Sequence, residues 1–110
     1  MYKINKKPLS VNECWQGKRF KTVEYKKYER DLLLMLPKKT FKFDKFSIEI
    51  EFGFSTILAD IDNPLKPFID ILQKKYTIND RDVYSLSVSK KVVPKGSEYI
   101  KFKISDYETK

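Results

Sequence analysis

The sequence predicts an α+β domain, a mixed β-sheet with two main helices, forming one small domain over residues 1–110. Three observations predict it. Phe46 to Phe54 alternates apolar and polar residues, the period-two pattern of a strand with one buried face. Two other stretches space their apolar residues by three and four, the period of an amphipathic helix. The resulting order of strand, helix, strand, helix, strand, strand belongs to mixed α and β layers.

Taken in order, Tyr2 to Leu9 gives a short strand. Asn5 to Arg19 then carries polar, turn-forming residues and ends in Gln16-Gly17-Lys18-Arg19, a basic loop. From Val23 to Leu36, residues Tyr25, Tyr28, Leu32, Met35 and Leu36 fall on one helical face, with Thr22 as N-cap and Pro37 as stop. The alternating strand Phe46–Phe54 follows. Leu65, Phe68, Ile69 and Leu72 predict a second helix from about Pro64 to Lys75. Pro67 must lie in its first turn, because an interior proline removes a backbone donor. Tyr84, Leu86 and Val88 alternate with serines, and Ile100, Phe102 and Ile104 alternate with lysines. These are two further strands, joined by the turn Pro94-Lys95-Gly96-Ser97.

Composition narrows the function classes. With 110 residues, 41% hydrophobic and 15% aromatic, the chain can bury a single modest core. Lys and Arg outnumber Asp and Glu by 23 to 15, a net charge of +8 that favours polyanionic partners. No apolar run reaches the roughly 18–20 residues of a membrane span, and Met1 to Lys7 has no signal-peptide core. A soluble, cytoplasmic protein is therefore expected. Cys14 is the only cysteine, which excludes an intrachain disulfide and a Cys-rich zinc site and predicts a semi-buried small hydrophobe. Histidine is absent. That removes Ser-His-Asp and Cys-His nucleophiles, His-ligated zinc and any His general base. Hydrolysis here would run on carboxylates, Lys, Tyr and a metal.

The residues able to carry such chemistry cluster in Asp60-Ile61-Asp62-Asn63-Pro64-Leu65-Lys66. In extended backbone Asp60 and Asp62 project to the same side. Mg²⁺ accepts such a pair, since it takes oxygen ligands at roughly 2.0–2.1 Å and uses one or two carboxylates beside water and phosphate. Asn63 is a good N-cap and Pro64 suits the first helical position, so the helix would aim its N-terminus at the acids and at a bound phosphate. Lys66, in the same turn, can meet the scissile phosphate. The competing reading is that these acids only cap a helix. A calcium loop is excluded, because the fifth, sixth and twelfth positions from Asp60 are Pro64, Leu65 and Ile71. Asp70 is expected to pair with Lys66 on the surface. Asn79-Asp80-Arg81-Asp82 reads as a polar turn that can return beside the helix start with a third carboxylate.

Residues 60–72 resemble the D-x-D-N-x-x-K signature and following helix of the RusA family of Holliday-junction resolvases. Pro8 to Asn12 and Gly17 to Thr22 resemble that family's N-terminal half, so the similarity covers nearly the whole chain. In the family an acidic dipeptide follows the helix at the position of Asn79-Asp80. The resemblance therefore implies Asp80 as third ligand, with Asp82 as the alternative because Asn79 replaces the first acid.

It implies a homodimeric, Mg²⁺-dependent endonuclease of DNA recombination and repair, in a phage or bacterial setting, that makes paired nicks across a four-way junction. Asp60, Asp62 and Asp80 would hold the metal and Lys66 would stabilise charge at phosphorus. Asn12, Lys18, Arg19, Lys21, Asn63, Lys90, Lys91 and Lys95 are candidates for nucleic-acid contact, and Trp15 or Tyr2 for base stacking, each with ordinary packing or solvation as the alternative. A branched- or flap-DNA nuclease, a non-catalytic nucleic-acid-binding module and a phage interaction protein are the competing functions.

Overall fold

The structure is a computed structural model that describes residues 1–17 and 20–108. Strand β1 covers Tyr2–Ile4, followed by a 3₁₀ turn at Val11–Glu13 and by strands β2 (Trp15–Gln16) and β3 (Phe20–Lys21). Helix α1 spans Val23–Met35, β4 Phe46–Phe54 and α2 Leu65–Tyr76. A second 3₁₀ turn at Asp80–Asp82 leads into β5 (Val83–Val92), and β6 covers Tyr99–Asp106.

Four strands form one sheet in the order β1-β6-β4-β5, with β4 and β5 parallel and the other pairs antiparallel. The molecule is thus a small α+β domain with a mixed sheet and two helices. A parallel neighbour needs a crossover, and α2 supplies it between β4 and β5. The turn at 94–97 joins strands that are not neighbours, since β4 lies between β5 and β6. It passes the end of β4, where Val93 N–H donates to Phe54 O at 2.7 Å and Ser55 Oγ donates to Glu98 Oε2 at 2.8 Å.

Both helices cover one face of the sheet. Phe46, Ile48, Ile50 and Phe52 of β4, Ile100, Phe102 and Ile104 of β6 and Ile4 of β1 are buried in one cluster with Tyr25, Tyr28 and Leu32 of α1 and Phe68, Ile71 and Leu72 of α2. Phe68 is the keystone of α2: its ring meets Phe52 at 6.2 Å and Phe102 at 5.8 Å between centroids, both edge-on. Tyr76 donates its hydroxyl to Pro37 O at 2.8 Å and so ties the end of α2 to the chain leaving α1. The opposite face of the sheet is polar. On it Tyr99 covers Gly53, where any side chain would strike the ring, and donates to Glu51 Oε2 at 2.6 Å.

Helix ends follow local chemistry. Thr22 caps α1 as the sequence predicts, its hydroxyl accepting Tyr25 N–H at 3.1 Å. The C-cap of α2 is Thr77, held in the left-handed region at φ 54° with Ile78 buried behind it.

Three expectations need correction. The basic loop ending at Arg19 contains a hairpin, with Trp15 opposite Lys21 and Gln16 opposite Phe20. Tyr84 does not share a face with Leu86 and Val88. Phe46 pairs with Val83 while Ser47 pairs with Ser85, so Tyr84 is the extra residue of a bulge, stacked on Tyr107 at 5.5 Å instead of on the core. Finally, α2 begins at Leu65 with Pro64 as N-cap, and no side chain caps it.

Candidate functional site

The acidic segment follows β4 and enters α2 through turns instead of extended backbone. Asp60 accepts Asn63 Nδ2 at 3.4 Å. Asn63 therefore spends its side chain on Asp60 and cannot cap α2, while its carbonyl accepts Val11 N–H at 2.8 Å. This last bond draws the 3₁₀ turn bearing Asn12 against the start of α2, so Asn12 and Asn63 do become neighbours.

Asp62 lines a cleft of about 230 Å³ with Leu65, Lys66, Ile69, Asp80, Val83 and Leu86, and Asp60 is not among the lining residues. Here α2 and the entry to β5 bring together Asp62, Lys66 and Asp80, which are far apart in the chain. Asp82 is not among the lining residues. Asn79 fixes the approach of Asp80, because its side-chain oxygen accepts Arg81 N–H at 3.1 Å and caps the short 3₁₀ turn.

Lys66 has a partner of its own, donating to Asp70 at 2.9 Å across one helical turn, as the spacing predicts. Its pKa is raised, first by that hydrogen bond, against a small opposing effect of burial, with the charges of Asp70 and Asp80 adding to the rise. It is a cation throughout the physiological range, and 71% of its side chain is exposed. The cleft thus offers two carboxylates and one fixed positive charge over an apolar floor.

The start of α2 is a weaker anion site than the sequence suggests. Leu65 N–H is taken by Asp62 O at 3.2 Å, Pro67 has no N–H, and Phe68 N–H bonds Pro64 O at 3.3 Å. Only Lys66 N–H of the first turn is left to meet a ligand.

Among the described residues no group of three His, Cys, Asp or Glu side chains converges as a metal-binding cluster. Asp60, Asp62 and Asp80 are not gathered on one point. Asp62 and Asp80, which line the same cleft, are of the donor type Mg²⁺ takes, since it uses one or two carboxylates and completes its shell with water and substrate phosphate.

The basic candidates divide. Lys90 donates to Ala59 O at 2.7 Å and so stands beside the acidic turn. Lys91, the next residue of β5, faces the other side of the sheet, 3.8 Å from Glu51. Lys21 is held by Glu29 at 3.1 Å in a group that includes Lys74. Lys18 and Arg19 lie outside the described residues. Trp15 packs edge-on against Tyr25 and Tyr2 against Phe102, and each keeps more than 40% of its surface exposed. Exposed Ile57 and Leu58 precede the acidic turn and sit in no periodic pattern that would mark them in the sequence.

The chain matches no protein-family model and no curated protein. No helix among the described residues is long and apolar enough to cross a membrane.

Proposed function

We propose that this chain is a RusA-like, Mg²⁺-dependent endonuclease that resolves four-way DNA junctions by paired nicks, acting as a homodimer in the cytoplasm of a bacterium or phage-infected host. The observation that carries the reading is the cleft joining Asp62, Asp80 and Lys66. Two carboxylates beside a permanent cation, at the entry of a helix in a +8 protein, suit a phosphodiester substrate better than a neutral one.

In this reading Asp62 and Asp80 would hold Mg²⁺, and Asp60 holds the Asn63 side chain beside the entry to α2. Bound there, the metal supplies Lewis acidity and an activated water. Lys66 meets the non-bridging oxygens and offsets the charge that accumulates at phosphorus. Asp70 orients the Lys66 ammonium, and the single free N–H of Lys66 offers a further contact to phosphate. Lys90 and Lys21 hold the flanking backbone, where contacts set position and affinity more than sequence preference.

The test is a labelled four-way junction incubated with the protein, with and without Mg²⁺. Symmetric nicks that require Mg²⁺ and disappear in Asp62→Asn are expected. Salt-sensitive binding without cutting under any divalent metal would replace the enzyme with a binding module, and preferential cutting of flaps would replace the substrate.

A further inference from the structure

Helix α1 buries one face and leaves the other exposed. Tyr25, Tyr28 and Leu32 enter the core, while Val23, Lys26, Lys27, Arg30 and Leu34 recur at steps of three and four along the opposite side. Val23 and Leu34 are 73% and 79% exposed, large values for aliphatic residues of a packed helix. No acid interrupts this stripe.

Beside it the β2–β3 hairpin contributes Phe20, 71% exposed, and Trp15, the one tryptophan of the chain. A cleft of about 630 Å³ runs between the hairpin and the start of α1, with Trp15, Phe20 and Val23 in its wall. Another, of about 510 Å³, has Arg30, Leu33 and Leu34 in its wall. Lys21 and Lys26 line both, so the two join as one trough along α1, apolar in its lining and basic at its rim. Glu29, an acid of that wall, is offset by Lys21 and Lys74. Apolar groups rimmed by charge mark docking surfaces, and tryptophan and arginine are the residues that anchor them. These residues are not among those lining the cleft of Asp62 and Asp80.

The chemistry of the trough selects its occupant. A nucleic acid would satisfy Lys26 and Arg30 but leave Val23, Leu33 and Leu34 uncovered, because bases stack on rings and not on branched aliphatics. A second copy would press the cations of two stripes together. An added strand needs a sheet edge with open N–H groups, whereas those of α1 are taken within the helix. A helix laid along α1 meets every requirement, since its apolar face covers the aliphatic anchors and acids at its margins reach the cations. Val23 and Leu34 stand about 16 Å apart along the axis, which is three turns of such a helix. We infer that α1 and the β2–β3 hairpin form a docking surface for an acidic, amphipathic helix of another protein.

The probe is a fluorescein-labelled peptide of about 18 residues, above the length at which isolated helices are marginal, with leucines at three-four spacing and glutamates between them. Titrated with the full chain at low salt, it should show saturable binding in the micromolar range by fluorescence anisotropy. The unlabelled peptide should move Trp15 emission to the blue as it covers that ring. Leu34→Glu and Arg30→Glu should each weaken binding by roughly tenfold or more, as loss of an interface anchor does, with unchanged circular dichroism. A peptide with lysine in place of glutamate should bind the Lys26→Glu/Arg30→Glu chain more tightly than it binds the wild type. Leu58→Glu, as exposed as Leu34 but outside the trough, should change nothing. Absence of binding, equal binding of a scrambled peptide of the same composition, or an unmoved Trp15 emission would overturn the inference. So would oligothymidylate that displaces the peptide and binds Leu34→Glu as tightly as the wild type, which would assign the face to nucleic acid. Junction cutting enters none of these readouts, so the proposed function and the docking surface stand or fall separately.

Discussion

Truncating Phe68 to alanine tests how the site is held, because this side chain anchors α2 two residues beyond Lys66. Phe68 is fully buried, and its ring lies between Phe52 and Phe102. Removing a buried phenylalanine forfeits its transfer free energy and leaves a cavity, together about 3–5 kcal/mol. A chain of 110 residues has a net stability on the order of 5–15 kcal/mol, so about a fifth or more of it is at stake. With an unfolding entropy near 2.1 cal/mol/K per residue, the melting temperature should fall by about 13–22 °C. Urea unfolding followed by circular dichroism measures the loss directly. Lys66→Ala, on the exposed side of the same helix, should cost less than about 1 kcal/mol. A Phe68→Ala loss no larger than that of Lys66→Ala, at an unchanged urea slope, would refute the assignment of Phe68 as the anchor.

Other consequences follow from single contacts. Gly53→Ala should destabilise the fold by about 1–3 kcal/mol through collision with Tyr99, and Tyr99→Ala in the same chain should recover part of the loss in a double-mutant cycle. Thr77→Gly should raise stability by about 1 kcal/mol in urea unfolding, because it relieves a β-branched residue at positive φ. For Glu29, burial alone would raise the pKa, but hydrogen bonds from Lys74 and Lys21 bring it below its ordinary 4.5. Its contribution is therefore complete above pH 4.5 and lost as pH falls through the lower folded value. The gap in stability between wild type and Glu29→Gln should close across that acidic window and stay constant from pH 6 to 8. Burial, reinforced by Glu13 and Asp70, pushes the Cys14 thiol up to about 11, so a thiol reagent at pH 8 should modify it slowly in native protein and rapidly in urea.

Much of the architecture is written in local periodicity. The alternation in Phe46–Phe54 and the three-four spacing of Leu65, Phe68, Ile69 and Leu72 each depend on which residues face the core, and both elements form where that spacing puts them. What periodicity does not carry is pairing. Nothing local to β5 says that it lies parallel to β4 at an edge, or that Tyr84 bulges out, because these depend on the α2 crossover and on residues far along the chain. Asn63 departs from its N-cap propensity for a related reason: that propensity describes an isolated helix start, whereas here its side chain is taken by Asp60.

The site was legible in part. Spacing alone pairs Lys66 with Asp70, and the structure brings Asp80 to the same cleft as Asp62 and Lys66. Asp60 is not among the residues lining that cleft, and residues 61–64 form turns instead of the extended backbone that the spacing predicts. The +8 charge was visible at once, but its division between the two faces of the sheet at Lys90 and Lys91 needed the strand's orientation.

The most direct measurement is single-turnover cutting of a symmetric four-way junction by the wild type, Asp62→Asn and Asp80→Asn, with Mg²⁺ present and with it removed by chelator. The account predicts paired nicks from the wild type only with Mg²⁺, and retained junction binding with at least a hundredfold loss of cutting in either variant, of the order expected when a site loses one group that stabilises developing charge. Cutting that survives both substitutions, or that proceeds equally without the metal, would contradict it.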